Sequence, residues 1–342
     1  MSKKVRNVAI VGPGWVAGAY LTAFHKRDDV RVTHVVGRKL ACAKSFVEQH
    51  NLDCQGHDDL HEALADKSVD IVAVLTPNNL HAEQTIAAAK AGKHVIIEKP
   101  VCLTLPELKA MRAAVRAAKV KTIVGYVLHW NPLLQIIRRH IAEGHLGKII
   151  YAETDYLHGI VGKGYTKPWH TKLATAGTSL LLGGCHAVDA IRFLVGRPVV
   201  EVSAYNTGRT KELDYPGTEI ALLKFDDGSI GKVGSCLECN MPYVFNVEVF
   251  GTKGSFRNNQ LAGDMLKGQT GFATIPTILP DSADVSHHPF DGEVEHFIDC
   301  LNRNRRPVPD LEDAAETTEV CLAAALSAQR GRPIRLPLKS AS

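Results

Sequence analysis

The sequence predicts an α/β protein in two parts, an N-terminal doubly wound parallel sheet followed by an α+β domain with a largely antiparallel sheet. Three observations predict it. At 342 residues the chain exceeds the size at which one hydrophobic core stops growing. From residue 5 to about 126, short apolar β-rich runs alternate with amphipathic helical patterns. From Lys148 onward, alternating strand patterns joined by turns such as DDG and GTKG take over. The domains are therefore expected at 1–125 and 126–342.

In the first part the strands are expected at Val8 to Val11, Val30 to Val36, Asp70 to Leu75, Val95 to Glu98 and Thr122 to Val127. Helices are expected at Leu80 to Ala91 and Leu105 to Ala118, the second opened by Thr104 as cap and Pro106 in its first turn. After Asn131 another helix should run to about Glu143, closed by Gly144. In the second part the strands are expected in KIIYAETDYL, VVEVSAYNT, TEIALLKFDDG, SIGKVGSCLE and YVFNVEVFGTKGSF. One long apolar helix from Ser179 to Leu194 should interrupt them, and helices at Gly292 to Asn304 and Leu311 to Gln329 should end the chain. Residues 258 to 289 read as a long loop or a partner-facing segment.

Composition narrows the function classes. Lys and Arg total 40 against 36 Asp and Glu, a net charge of +4 with no dense basic block, which argues against a nucleic-acid partner. No run of 18 apolar residues suggests a membrane span, and MSKKVRNVAIVGPG enters a strand too soon for a signal peptide. The eight Cys suit no disulfide framework, so reduced thiols and a cytoplasmic location are expected. Cys236 and Cys239 form the one close pair, but without a second pair no metal site is expected.

The first strand runs into Gly12-Pro13-Gly14-Trp15-Val16-Ala17, a G-x-G-x-x-A sequence opening a helix. Glycines there let the backbone approach a pyrophosphate, whose charge meets the helix amides and dipole. This is the mark of a Rossmann-type dinucleotide site, holding NAD or NADP. An acid at the end of the second strand would favour NAD, but Gly37, Arg38 and Lys39 stand there. Arg38 either pairs a 2′-phosphate, which leans toward NADP, or stacks on adenine, or belongs to a solvated basic turn.

Two further stretches fall on expected strand ends, Thr76-Pro77-Asn78-Asn79-Leu80-His81 and Glu98-Lys99-Pro100. With the glycine turn, with GHLGKI at 144–149, GTSLLLGGCHAVD at 177–189 and EHFIDCLNRNRRPVPDLEDA near the end, they make the chain resemble the glucose-fructose oxidoreductase/inositol dehydrogenase family, Gfo/Idh/MocA. The resemblance implies that Lys99 is the central catalytic residue and that Thr76, Asn79, His81 and Glu98 serve the cofactor. A Lys at the carboxyl end of a strand in a parallel sheet independently lies where ligands bind, though a surface lysine is the plainer reading.

The family also implies a helix carrying an acid and a histidine four residues apart. His186 matches the histidine, but Leu182 stands where the acid is usual. Lys99 and His186 are then left as the proton-transfer pair, unless Asp155, Tyr165 or His170 contributes. Asp189 is placed either to orient His186 or to serve structure. His129 occupies a position where relatives often carry arginine, which makes it a substrate or ribose contact or else a core residue. Trp169 and His170 suit the face of a sugar, or cofactor packing, or plain surface structure.

The resulting expectation is hydride transfer between a nicotinamide and a secondary hydroxyl of a small-molecule sugar, polyol or sugar derivative, by a homodimer or homotetramer. Two alternatives stay open: a glycoside-cleaving enzyme using transient oxidation and elimination, and a catalytically silent cofactor-binding regulator.

Overall fold

The computed structural model describes residues 4–161, 166–282 and 288–339. The chain forms two compact units, one of Met1–Gly125 with Phe290–Ala315, the other of Tyr126–Pro289 with Glu316–Ser342.

The first unit holds a parallel sheet of β1 (Arg6–Val11), β2 (Val30–Val36), β3 (Gln55–His57), β4 (Val69–Val74), β5 (His94–Ile97) and β6 (Thr122–Val124). Their spatial order is β3-β2-β1-β4-β5-β6. Val8, Ala9, Ile10, Ile71, Val95 and Ile96 are fully buried, as a sheet covered on both faces requires. The helices of this half are α1 (Trp15–His25), α2 (Leu40–Gln49), α3 (Leu60–Ala65), α4 (His81–Lys90) and α5 (Leu105–Ala118). At α5 the Thr104 side chain accepts the Glu107 amide while the Glu107 carboxylate accepts the Thr104 amide, a reciprocal capping box. The strand β3 was not foreseen. Its three residues, QGH, carry no apolar run, and only pairing with β2 makes them a strand.

In the second unit α6 (Pro132–Ala142) is opened by Asn131, whose side chain accepts the amides of Leu133 and Leu134. The large sheet is built from β7 (Ile149–Leu157), β8 (Val199–Asn206), β9 (Thr218–Phe225), β10 (Ile230–Cys236), β11 (Val244–Gly251), β12 (Gly254–Arg257), β13 (Gln260–Gly263) and β14 (Ala273–Thr274). Near the C-terminus, β15 (Ile334–Arg335) adds antiparallel to β8. Among the described residues the pairings are antiparallel except for β7 against β10. The segment expected as a loop from 258 to 289 thus contributes two short strands, through the Arg257↔Gln260 hairpin and the Leu261↔Ala273 pairing.

The expected long helix from Ser179 to Leu194 is broken. After α7 (Leu173–Ala176) come α8 (Ser179–Leu182) and α9 (Cys185–Val195), parted by Gly183-Gly184. A Cβ at Gly183 would stand 2.4 Å from the Tyr156 ring, and one at Gly184 would stand 2.7 Å from the Ser235 Cβ. The two glycines let strands β7 and β10 approach the helix, and α9 then packs along β7, where the Thr154 hydroxyl donates to the Ala187 carbonyl at 2.8 Å. Leu173–Val195 is apolar and long enough by composition to cross a membrane, yet it is interrupted here and mostly buried in this unit.

The chain closes with α10 (Phe290–Asn302) and α11 (Leu311–Arg330). A second domain running without break from 126 to 342 did not anticipate that Phe290–Ala315 returns to the first unit. The return is held by burial of α10 against α1, where Tyr20 and Phe290 meet edge to face at 5.0 Å, and by the Thr122 hydroxyl accepting the Leu311 amide.

Candidate active site

The glycine turn is built by two different demands. Gly12 has φ +92°, and a Cβ there would stand 2.7 Å from the Leu75 carbonyl oxygen, so no side chain fits. Gly14, by contrast, has open space where a Cβ would point and forms the N-cap of α1. That helix has no side-chain cap and no acid in its first turn, so neither a capping side chain nor a carboxylate meets the positive end of its dipole. These residues fit a dinucleotide pyrophosphate. Trp15 is 64% exposed beside the turn, and Val16 is half-buried. At the end of β2, Arg38 is exposed, and α2 begins after Lys39 without any acid in its first turn.

The ends of β4 and β5 lie on the same carboxyl edge. Thr76 Oγ1 donates to Gln84, and Asn79 sits half-buried in a short 3-10 turn, Asn78–Leu80. His81 was expected at the cofactor. The structure instead buries it completely, with Nδ1 2.7 Å from the Pro100 carbonyl oxygen and Nε2 2.7 Å from that of Thr76. The ring is wedged between these two loops, and burial lowers its pKa, which favours the neutral imidazole whose single N–H donates to one of the two carbonyls. Glu98 is buried and accepts the backbone amide of Lys99 at 3.0 Å. Burial raises the Glu98 carboxyl, while the Lys99 charge and amide pull it back down. The peptide from Lys99 to Pro100 is cis.

In the second unit, His186 on α9 is buried in an aromatic cluster. Its ring lies 6.1 Å from Tyr126, 6.2 Å from Tyr156 and 5.4 Å from His288. Tyr156 Oη and His158 Nδ1 are 3.0 Å apart, and Tyr243 packs 4.9 Å from His158. Tyr156, His158, Tyr243 and His288 were missed from sequence. They come from a strand end, a loop and a segment after the sheet, so no spacing joins them. Only the GG pair, which seats Tyr156, carried a signal. Leu182, the last residue of α8 and separated from His186 on α9 by the Gly183-Gly184 break, is buried and apolar.

Several residues expected to fill the gap are otherwise engaged. Asp155 lies on the sheet face opposite Thr154, where Lys232 Nζ reaches both its carboxylate oxygens at 2.8 Å and Glu153 at 2.6 Å. Asp189 does not orient His186; its Oδ2 is 2.7 Å from His129 Nε2 and its Oδ1 accepts the Thr317 hydroxyl. The same bond makes His129 a buried link rather than an open contact, with its ring stacked on Phe193 at 4.1 Å. Trp169 and His170 are half-buried and stack on each other at 3.8 Å. The Tyr215 hydroxyl donates to the His170 carbonyl and fixes that turn. Tyr165 lies outside the described residues.

Two family models cover most of the chain. Residues 6–126 match the oxidoreductase family with an NAD-binding Rossmann fold, and residues 138–336 match the C-terminal α/β domain of the same family. The chain belongs to the Gfo/Idh/MocA oxidoreductase family. This Gfo/Idh/MocA protein is 28% identical to scyllo-inositol 2-dehydrogenase (NAD(+)) of Bacillus subtilis, over 91% of this chain and 92% of that one. It is also 28% identical to myo-inositol 2-dehydrogenase of Thermotoga maritima, over 72% and 73% of the two chains. A solved levoglucosan dehydrogenase in complex with NADH shares the fold, with a TM-score of 0.89 at 22% identity over 98% of this chain and 100% of that one. The first unit is accordingly an NAD-binding Rossmann fold.

Proposed function

We propose that this oxidoreductase transfers hydride between a nicotinamide cofactor and a secondary hydroxyl of a sugar, polyol or sugar derivative. One observation carries the reading: the uncapped N-terminus of α1 behind Gly12 and Gly14 shares the carboxyl edge of one parallel sheet with Glu98 and Lys99. The inositol dehydrogenases among its relatives support the substrate class. Gly12, Gly14, Trp15 and Val16 hold the pyrophosphate, Arg38 the adenine ribose, and Thr76, Asn79 and Glu98 the nicotinamide half. When bound, the nicotinamide supplies the hydride acceptor. Lys99 takes the hydroxyl proton at Nζ, with His186 as the second proton-transfer group. Trp169 and His170 line the sugar.

NAD is the cofactor taken in this reading, and the exposed Arg38 is the group that would accept a 2′-phosphate. Equal loss of NAD and NADP affinity in Arg38→Ala would remove any NADP role for it. The outer face of the second sheet exposes Tyr205, Ile220, Leu222 and Ile230, which supports a homo-oligomer built on that face. The eight free cysteines support a reducing, cytoplasmic setting.

The test is incubation with NAD and a panel of inositols, anhydrosugars and aldoses. Accumulating NADH supports the dehydrogenase. Bond cleavage without net NADH would favour transient oxidation, and cofactor binding without turnover on any sugar would favour the silent regulator.

A further inference from the structure

The first unit buries two carboxyls around one hydroxyl. Tyr20 Oη lies 3.0 Å from Glu293 Oε1 and also hydrogen-bonds Glu98, and all three side chains are buried. Their closeness shows at Gly125, where a Cβ would stand 2.8 Å from Glu98 Oε1 and 3.1 Å from the Tyr20 oxygen. Among the described residues Glu293 Oε2 has no hydrogen-bond partner, and it has no access to solvent. One phenolic proton cannot serve two carboxylates. An ionised Glu293 would leave a buried charged oxygen unsatisfied beside a second negative charge, whereas a protonated Glu293 leaves only a neutral carbonyl oxygen. Glu98 has the Lys99 charge and amide to favour its ionised form; among the described residues the polar groups acting on Glu293 are Glu98, which raises its carboxyl, and Tyr20.

We propose that Glu293 is a positioning residue that holds a proton and donates it in a hydrogen bond to Tyr20, which donates in turn to Glu98. The single ionised carboxylate of this hydrogen-bonded row, Glu98, then fixes the Lys99 amide. Every donor in the row Glu293, Tyr20, Lys99 N–H has an acceptor, and the direction of Lys99 is set from α10. The consequence for turnover rests on the proposed role of Lys99, but the proton assignment does not.

Infrared difference spectra of wild type and Glu293→Gln at about pH 7 test the assignment without any substrate. A carboxylic-acid C=O band present in wild type and lost in Glu293→Gln is expected. No such loss in a folded variant overturns the proposal. On a substrate found with the sugar panel, Glu293→Gln, whose amide still donates to Tyr20, should stay within about threefold of wild-type kcat, while Glu293→Leu and Tyr20→Phe should lose about 10-fold or more with NAD affinity unchanged. Equal loss in Gln and Leu variants that melt like wild type also overturns it. If no sugar is turned over, the dehydrogenase reading fails while the infrared result still decides the proton.

Discussion

His129 and Asp189 are joined side chain to side chain at 2.7 Å inside the second unit, and the other oxygen of the same carboxylate accepts the Thr317 hydroxyl at 3.2 Å. The bond ties the 3-10 turn Val127–Trp130 to α9 and α9 to α11. Asp189→Ala would strand two buried donors, at a cost of about 1–3 kcal/mol each when unsatisfied. Urea denaturation should show a clear drop in midpoint while NADH affinity holds. A loss of NADH affinity at an unchanged midpoint would show that the pair serves the cofactor instead.

The two glycines of the first turn should fail in opposite ways. Gly12→Ala forces a Cβ against the Leu75 carbonyl at a positive φ, so the melting temperature should fall. Gly14→Val adds its side chain to open space, so the fold should survive while NAD binding is abolished. Calorimetry and cofactor titration on both variants separate the two effects. A Gly14→Val protein that binds NAD normally would remove the pyrophosphate from this turn.

The parallel half was legible because its strands are continuous apolar runs and its motifs fall at their ends; Thr104 even announced its helix as a cap. The antiparallel half was legible as strands but not as partners. Nothing local tells that β7 pairs parallel with β10, or that Asp155 points to Lys232 while Thr154 points to α9. At the site, Gly12 was readable because backbone geometry dictates the residue, while Gly14 was readable only through the spacing of the motif. For His81 and His129 the sequence could not decide between function and packing, because a histidine's partners, here two carbonyls and Asp189, come from other parts of the chain. The Tyr20, Glu98 and Glu293 cluster joins residues 273 positions apart and has no sequence signature.

His94 should give the first unit an acid-sensitive limb. Burial, reinforced by the Arg6 charge, lowers its pKa to about 4, and its Nδ1 accepts the Lys121 amide at 3.0 Å, a bond that protonation at Nδ1 breaks. The folded pKa lies below the unfolded value of about 6.5, so the unfolded chain binds the proton first. Stability from this group is complete above about pH 6.5, declines as pH falls through the interval, and levels off below about 4. In His94→Gln, whose carbonyl can still accept the amide, unfolding free energy between those pH values should fall less steeply. Parallel slopes for variant and wild type would contradict the assignment.

Lys99 and His186 carry the chemistry in the proposed function, and the apolar Leu182 makes their shares unequal to assign in advance. Lys99→Ala should leave cofactor affinity within a few-fold and lower turnover by about 100-fold or more, the scale of a positioned acid-base group. His186→Ala should do likewise if the histidine moves a proton, but should instead lower stability if its place among Tyr126, Tyr156 and His288 is only packing. Leu182→Asp restores the acid usual in the family at a buried position, so its melt must be read before its kinetics. A folded Leu182→Asp protein with altered sugar turnover would place the end of α8 at the substrate. Wild-type turnover in Lys99→Ala, on any substrate the enzyme accepts, would end the proton-transfer role of Lys99 while leaving the dinucleotide fold intact.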